Sequence, residues 1–172
     1  MINILDNLHC DNNSLDLLLD QGLATRLTVV VGPDADERDK VLNDWLERRD
    51  YAAIQIHCPT GDDMQACTRS LYERFSEAGI ADSLTKDDPA GEGCLPRLVR
   101  LMNSLAELHR DLIVIFRDYQ PSEHSDRVLS FMLDHLPHQV HLYLSCDSVP
   151  CLNCIPRLRV RRQLQTIDTS QT

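Results

Sequence analysis

A chain of 172 residues, 42% hydrophobic and 26% charged, carries enough apolar side chain to bury one domain-sized core. Its net charge of −10 and pI near 5.0 argue against general affinity for nucleic acid or an anionic membrane. No apolar run approaches the ~20 residues of a membrane span. Met1 to Asp6 hold neither a basic region nor a long apolar stretch, so a cytoplasmic protein without a secretory signal is expected.

In chain order, residues 1–13 read as a polar, Asn/Asp-rich arm, and 14–172 as a single domain. Ser14 opens a short helix with Leu15, Leu18 and Leu19 on its apolar side. Leu27–Val31 is the first strand, followed by a helix over about Asp36–Arg49 with Val41, Leu42, Trp45 and Leu46 on one face. Tyr51–His57 has strand length. A helix over about Asp62–Ala78 repeats Met64, Cys67, Leu71, Phe75 and Ala78 at steps of three and four. Residues 79–93, rich in Gly, Asp, Lys and Pro, read as a mobile loop.

The helix over about Leu95–His109 presents Leu98, Leu101, Met102, Leu105 and Leu108. Leu112–Phe116 is continuously apolar, as in a strand covered on both faces. A helix at 122–136 carries Val128, Leu129, Met132, Leu133 and Leu136, and Val140–Leu144 and about Gln163–Ile167 supply the last strands. Strands alternating with helices predict an α/β fold with a mostly parallel sheet of about five strands and helices on both faces.

The turn after the first strand sits where a P-loop would be. A working P-loop curls backbone N–H groups around phosphate, with glycines, a Lys and a Ser/Thr for Mg²⁺. Here Gly32-Pro33-Asp34-Ala35-Asp36-Glu37-Arg38-Asp39-Lys40 sets four carboxylates against two cations. Acidic residues there favour the positive end of a helix dipole and repel an arriving phosphate.

Several segments, in order, resemble the N-terminal NTPase domain of MalT-type, LuxR-related transcription regulators, a bacterial branch of the STAND ATPases. After Leu15, Leu-Leu-Leu-Asp-Gln-Gly-Leu-Ala-Thr-Arg-Leu-Thr-Val-Val-Val is similar to the stretch before that family's P-loop. Leu105-Ala-Glu-Leu-His109 and Ile113-Val-Ile-Phe-Arg-Asp-Tyr-Gln120 resemble its helix and Walker B strand, and Arg157-Leu-Arg-Val-Arg-Arg-Gln-Leu164 its L-R-x-R-x-Q-L segment. The resemblance covers about residues 14–168 and implies a three-layer P-loop NTPase-like (RecA/ASCE-like) fold.

The departures fall on the catalytic positions. Ala35 and Glu37 stand for the loop glycines, Arg38 for the phosphate-binding Lys, Asp39 for the Mg²⁺-binding Thr and Arg117 for the first Walker B Asp. Asp118 remains, and Cys146 after Ser145 replaces an Arg. Loop and Walker B stretch therefore read as degenerate, with no catalytic residue, cofactor or metal expected. Arg38 and Lys40 read as exposed basic residues at a helix start.

Seven cysteines, an odd number, read as reduced thiols in a reducing compartment. Cys151-Leu-Asn-Cys154 is a C-x-x-C between Pro150 and Pro156, with no second pair to complete a zinc site, and reads as exposed loop. Arg157, Arg159, Arg161 and Arg162 form the one basic cluster. Read as an extended segment, alternation places Arg157, Arg159 and Arg161 on one side, a docking patch for an acidic partner or a solvated edge.

The expectation is a non-catalytic regulatory protein acting through protein–protein interaction, with a full-length LuxR/MalT-type regulator as partner and no direct nucleic acid or membrane contact. A homodimer is compatible with this. Because the chain ends at Thr172, no DNA reader of its own is expected. Two alternatives stand beside it: a SulA-like cell-division inhibitor binding FtsZ, and a thiol or metal protein using Cys151 and Cys154.

Overall fold

The computed structural model describes residues 12–57, 64–80 and 93–171. Five strands form one sheet: β1 (Leu27–Val31), β2 (Ala53–His57), β3 (Leu112–Arg117), β4 (Val140–Cys146) and β5 (Leu164–Asp168). Their spatial order is β2-β3-β4-β1-β5, and every pairing is parallel. Six helices connect or cover them: α1 (Asn12–Gly22), α2 (Ala35–Arg49), α3 (Met64–Glu77), α4 (Cys94–Ala106), α5 (Glu123–His135) and α6 (Ile155–Val160). The expected α/β architecture is the observed one.

The alternation of β3 explains the layering. Leu112, Val114 and Phe116 pack with α3, α4, α5 and α6, whereas Ile113 and Ile115 pack with α1 and α2. The second face closes around Trp45, the only tryptophan, wholly buried. Its ring lies 5.2 Å from that of Tyr143 and 5.3 Å from that of Tyr51, and its indole N–H donates to Asp20 at 2.9 Å. Tyr143 in turn donates to the Leu19 carbonyl at 2.8 Å. Burial pushes the Tyr143 phenol far above the ordinary tyrosine range, so it stays a donor.

Several boundaries differ from expectation for local reasons. α1 begins at Asn12, ahead of Ser14. α4 stops at Ala106, short of His109, because the buried Gln139 amide donates to the carbonyls of Leu105, Ala106 and Leu108. α3 ends at Glu77, and Gly79 two residues on takes a φ of 70° that suits a residue without Cβ. The rest of the 79–93 loop, save Ile80 and Gly93, lies outside the described residues, as do residues 1–11 of the polar arm.

α6 corrects the extended reading of the arginine segment: Arg157 and Arg159 are helical, and Arg157 pairs with Asp134. Cys154 corrects the C-x-x-C as well. It caps α6 and is 5% exposed, while Cys151 is exposed.

Connections leave β1 and β4 on opposite faces, α2 behind one and α6 in front of the other. In a parallel α/β sheet such neighbours leave a crevice outside their carboxyl ends, where ligands of this architecture bind.

Candidate functional site

That crevice is filled from within. Arg38 sits one turn before Leu42 and two turns before Trp45, on the buried face of α2, and has no exposed surface. Its guanidinium donates to the carbonyl of Gly32, the first residue after β1, and through Nε to Ser145 Oγ at 3.0 Å in β4. Ion pairs reach Asp118 at 3.2 Å and Asp147 at 3.0 Å, just beyond β3 and β4. One side chain thus ties three strand ends together. This corrects the expectation that Arg38 is an exposed basic residue.

Arg117 forms a second plug. The β3 alternation aims it at the α2 face, and its side chain is 1% exposed. Nη1 meets Asp39 Oδ1 at 2.6 Å and Nη2 meets Asn43 Oδ1 at 2.6 Å. Asp39 and Asn43 are four residues apart, on one stripe of α2. The pair replaces a hydroxyl and a carboxylate that would share a cation with a carboxylate and a fixed cation.

The loop itself is short. Only Gly32, Pro33 and Asp34 separate β1 from α2. Asp34 is the N-cap, its Oδ1 accepting from Asp36 N at 2.9 Å and Glu37 N at 3.3 Å. The helix N-terminus therefore already carries an anion, the chain's own carboxylate. Asp34→Ala is expected to cost about 1 kcal/mol in urea unfolding. Gly32 serves packing: a Cβ there would stand 2.1 Å from Thr169 Oγ1 in the short 3₁₀ turn Thr169–Gln171. Asp118, exposed and at φ 45°, holds a left-handed backbone that an aspartate tolerates better than most residues.

This donor set differs from the one a P-loop offers a magnesium triphosphate. The ground for its phosphates holds a guanidinium with its hydrogen bonds committed, and the ground for the metal holds the Arg117–Asp39 pair. The rim is acidic, with Asp34, Asp36, Glu37, Asp118 and Asp147 all exposed. The one lysine among the described residues, Lys40, is exposed in the second turn of α2.

Cys146 and Cys154 offer little nucleophilicity. Burial pushes the Cys146 thiol up to about 12, against the pull of Arg38, and Asp147 and Asp118 push the same way. Burial also raises Cys154, which hydrogen-bonds Ser130. Among the described residues no group of three or more His, Cys, Asp or Glu side chains is placed to hold a metal ion. No helix among them is long and apolar enough to cross a membrane. Arg159, Arg161 and Arg162 lie away from the crevice, near the start of β5.

Sequence reasoning located the loop and both arginines but missed Asn43, Ser145 and Asp147 as their partners. The signals were present: Asn43 is one turn after Asp39, and Ser145 alternates with Tyr143 on β4.

No protein-family model matches the chain, and no curated protein does. Solved structures do. Cdc6p from Pyrobaculum aerophilum superposes with a TM-score of 0.62 at 14% identity, over 96% of this chain and 46% of that one. Drosophila ORC bound to GC-rich DNA and Cdc6 gives 0.55 at 12% identity, over 91% and 28% respectively. The chain spans less than half of each of these matched chains. At such identities the likeness shows fold alone, and that fold is P-loop NTPase-like. The more specific MalT/LuxR resemblance rests on the sequence segments.

Proposed function

We propose that this is a non-catalytic regulatory protein, acting through protein–protein contact on a P-loop NTPase-like scaffold that takes no ATP. The observation that carries the reading is Arg38, without exposed surface and bonded to Gly32, Ser145, Asp118 and Asp147. A triphosphate entering the crevice would have to break those bonds while crossing a rim of like charge. Phosphoryl transfer would then lack its lysine, its metal ligands and its loop donors.

The partner we propose, from the sequence resemblance, is a full-length LuxR/MalT-type transcription regulator whose assembly the protein promotes or blocks. The acidic surface favours protein over nucleic acid. Isothermal titration with Mg-ATP and with Mg-ADP is expected to give no saturable heat. A Kd tighter than about 100 μM, roughly 5–6 kcal/mol of binding, contradicts the nucleotide half of the proposal. Capture of a LuxR-type regulator from host lysate is the expected partner result; capture of FtsZ replaces it with the SulA-like reading.

A further inference from the structure

Because all five strands are parallel, their carboxyl ends share one pole of the molecule and their amino ends the other. The carboxyl pole is acidic and the β5 corner of the amino pole is basic, whereas the β2–β3 side of the amino pole mixes exposed Asp50, Glu107 and Asp111 with Arg110. At the carboxyl pole stand exposed Asp34, Asp36, Glu37, Asp118, Asp147 and Asp168, with Arg38 and Arg117 buried beneath them. At the amino pole α6 delivers the chain to β5, and the Gln163 carbonyl accepts from Arg26 N and Leu27 N at the foot of β1. There Arg159, Arg161 and Arg162 are exposed, and none has an ion-pair partner among the described residues. Arg157, by contrast, is tied to Asp134. Between these guanidiniums lies Val160, 85% exposed, the most exposed large apolar side chain of the described residues.

The poles are too far apart to neutralise each other. Five strand residues span roughly 17 Å, about twice the ~8 Å screening length at physiological salt. The basic corner and the acidic pole therefore each present their field outward, and the corner matches the acidic pole of a second molecule. Val160 gives the basic corner an apolar anchor, and Val149, 37% exposed and two residues beyond Asp147, gives the acidic pole one apolar side chain to meet it.

We propose that the Arg159–Arg162 surface docks the acidic carboxyl pole of a second copy of this chain. The contact is head-to-tail, so each protomer keeps one free pole of each sign and the assembly propagates instead of closing as a two-fold dimer. This goes beyond the protein–protein reading above by naming one partner and its surface. Its test is separable from the nucleotide question, since none of Asp36, Glu37, Arg159, Arg161 and Arg162 bonds Arg38.

Sedimentation velocity on the intact chain tests it. At ~50 mM salt the weight-average mass should climb above the 19.6 kDa monomer as concentration rises, and it should return to the monomer by ~500 mM salt. The triple variant Arg159→Ser, Arg161→Ser, Arg162→Ser should stay monomeric, as should Asp36→Asn with Glu37→Gln. Mixed, these two variants should form a 1:1 complex and stop there, because each retains only one working pole. Unchanged far-UV circular dichroism keeps misfolding from counting as support. A wild type that is monomeric throughout overturns the proposal. So do association that survives high salt, a triple variant that still assembles, and variants that do not complement. Binding of polyglutamate or duplex DNA to the arginines without self-association overturns the second copy as their occupant.

Discussion

Arg38→Ala should destabilise the protein by about 3–5 kcal/mol, the range for removing one partner of a buried charged network. The ion pairs are not the main source of that loss. Asp118 and Asp147 side chains are 58% and 65% exposed, so water screens much of the attraction and solvates them once the arginine is gone. The larger cost lies inside. The Gly32 carbonyl and Ser145 hydroxyl lose their donor, at about 1–3 kcal/mol for each buried group left unpaired, and the guanidinium leaves a void where three strand ends meet. In a chain of this size each kcal/mol moves Tm by about 2–4 °C, so a thermal scan resolves the effect. Arg38→Lys, which keeps the charge but cannot fork to several acceptors, should recover only part of it. If Arg38→Ala melts with the wild type, the crevice is not held as described.

Trp45→Ala is the second large effect, about 3–5 kcal/mol for an aromatic-to-alanine change in a packed core. Trp45 joins α2 to the sheet through Tyr143 and to α1 through Asp20. Its loss should loosen α1 as well as lower global stability. Trp45→Phe separates the two contributions: it keeps most of the apolar volume and loses the 2.9 Å bond to Asp20, a loss of about 1–2 kcal/mol. Because Trp45 is the only tryptophan, unfolding of these variants has to be followed by circular dichroism. Early exchange of α1 amides in Trp45→Ala, against protection in the wild type, checks the coupling.

Most of the sheet was legible because its strands are short apolar runs bounded by polar turns. β3 announced itself as a strand covered on both faces by the apolar run Leu112–Phe116, and every one of its residues is buried. The site was half legible. The residue types at 38, 39 and 117 showed that the usual phosphate- and metal-binding side chains are absent from those positions, but not which contacts stand there instead. Arg38 belongs by spacing to the Leu42–Trp45 face, and charge outweighed periodicity in the reading; a buried arginine is uncommon enough that exposure looked safer. Helix α6 was missed for a different reason. Six residues are too few for a 3.6-residue repeat to emerge, and alternating arginines imitate a strand. The burial of Cys154 followed from that error, since a loop was expected where a helix cap stands.

The account rests on an arginine closing the crevice from inside, and its Nε–H offers the most direct probe. In a ¹⁵N-edited spectrum the Arg38 Nε–H should appear as a slowly exchanging resonance, protected by Ser145 and unmoved when Mg-ATP is added in excess. A signal that exchanges with water as freely as those of Arg159 and Arg161, or one that shifts and saturates with added Mg-ATP, would contradict it.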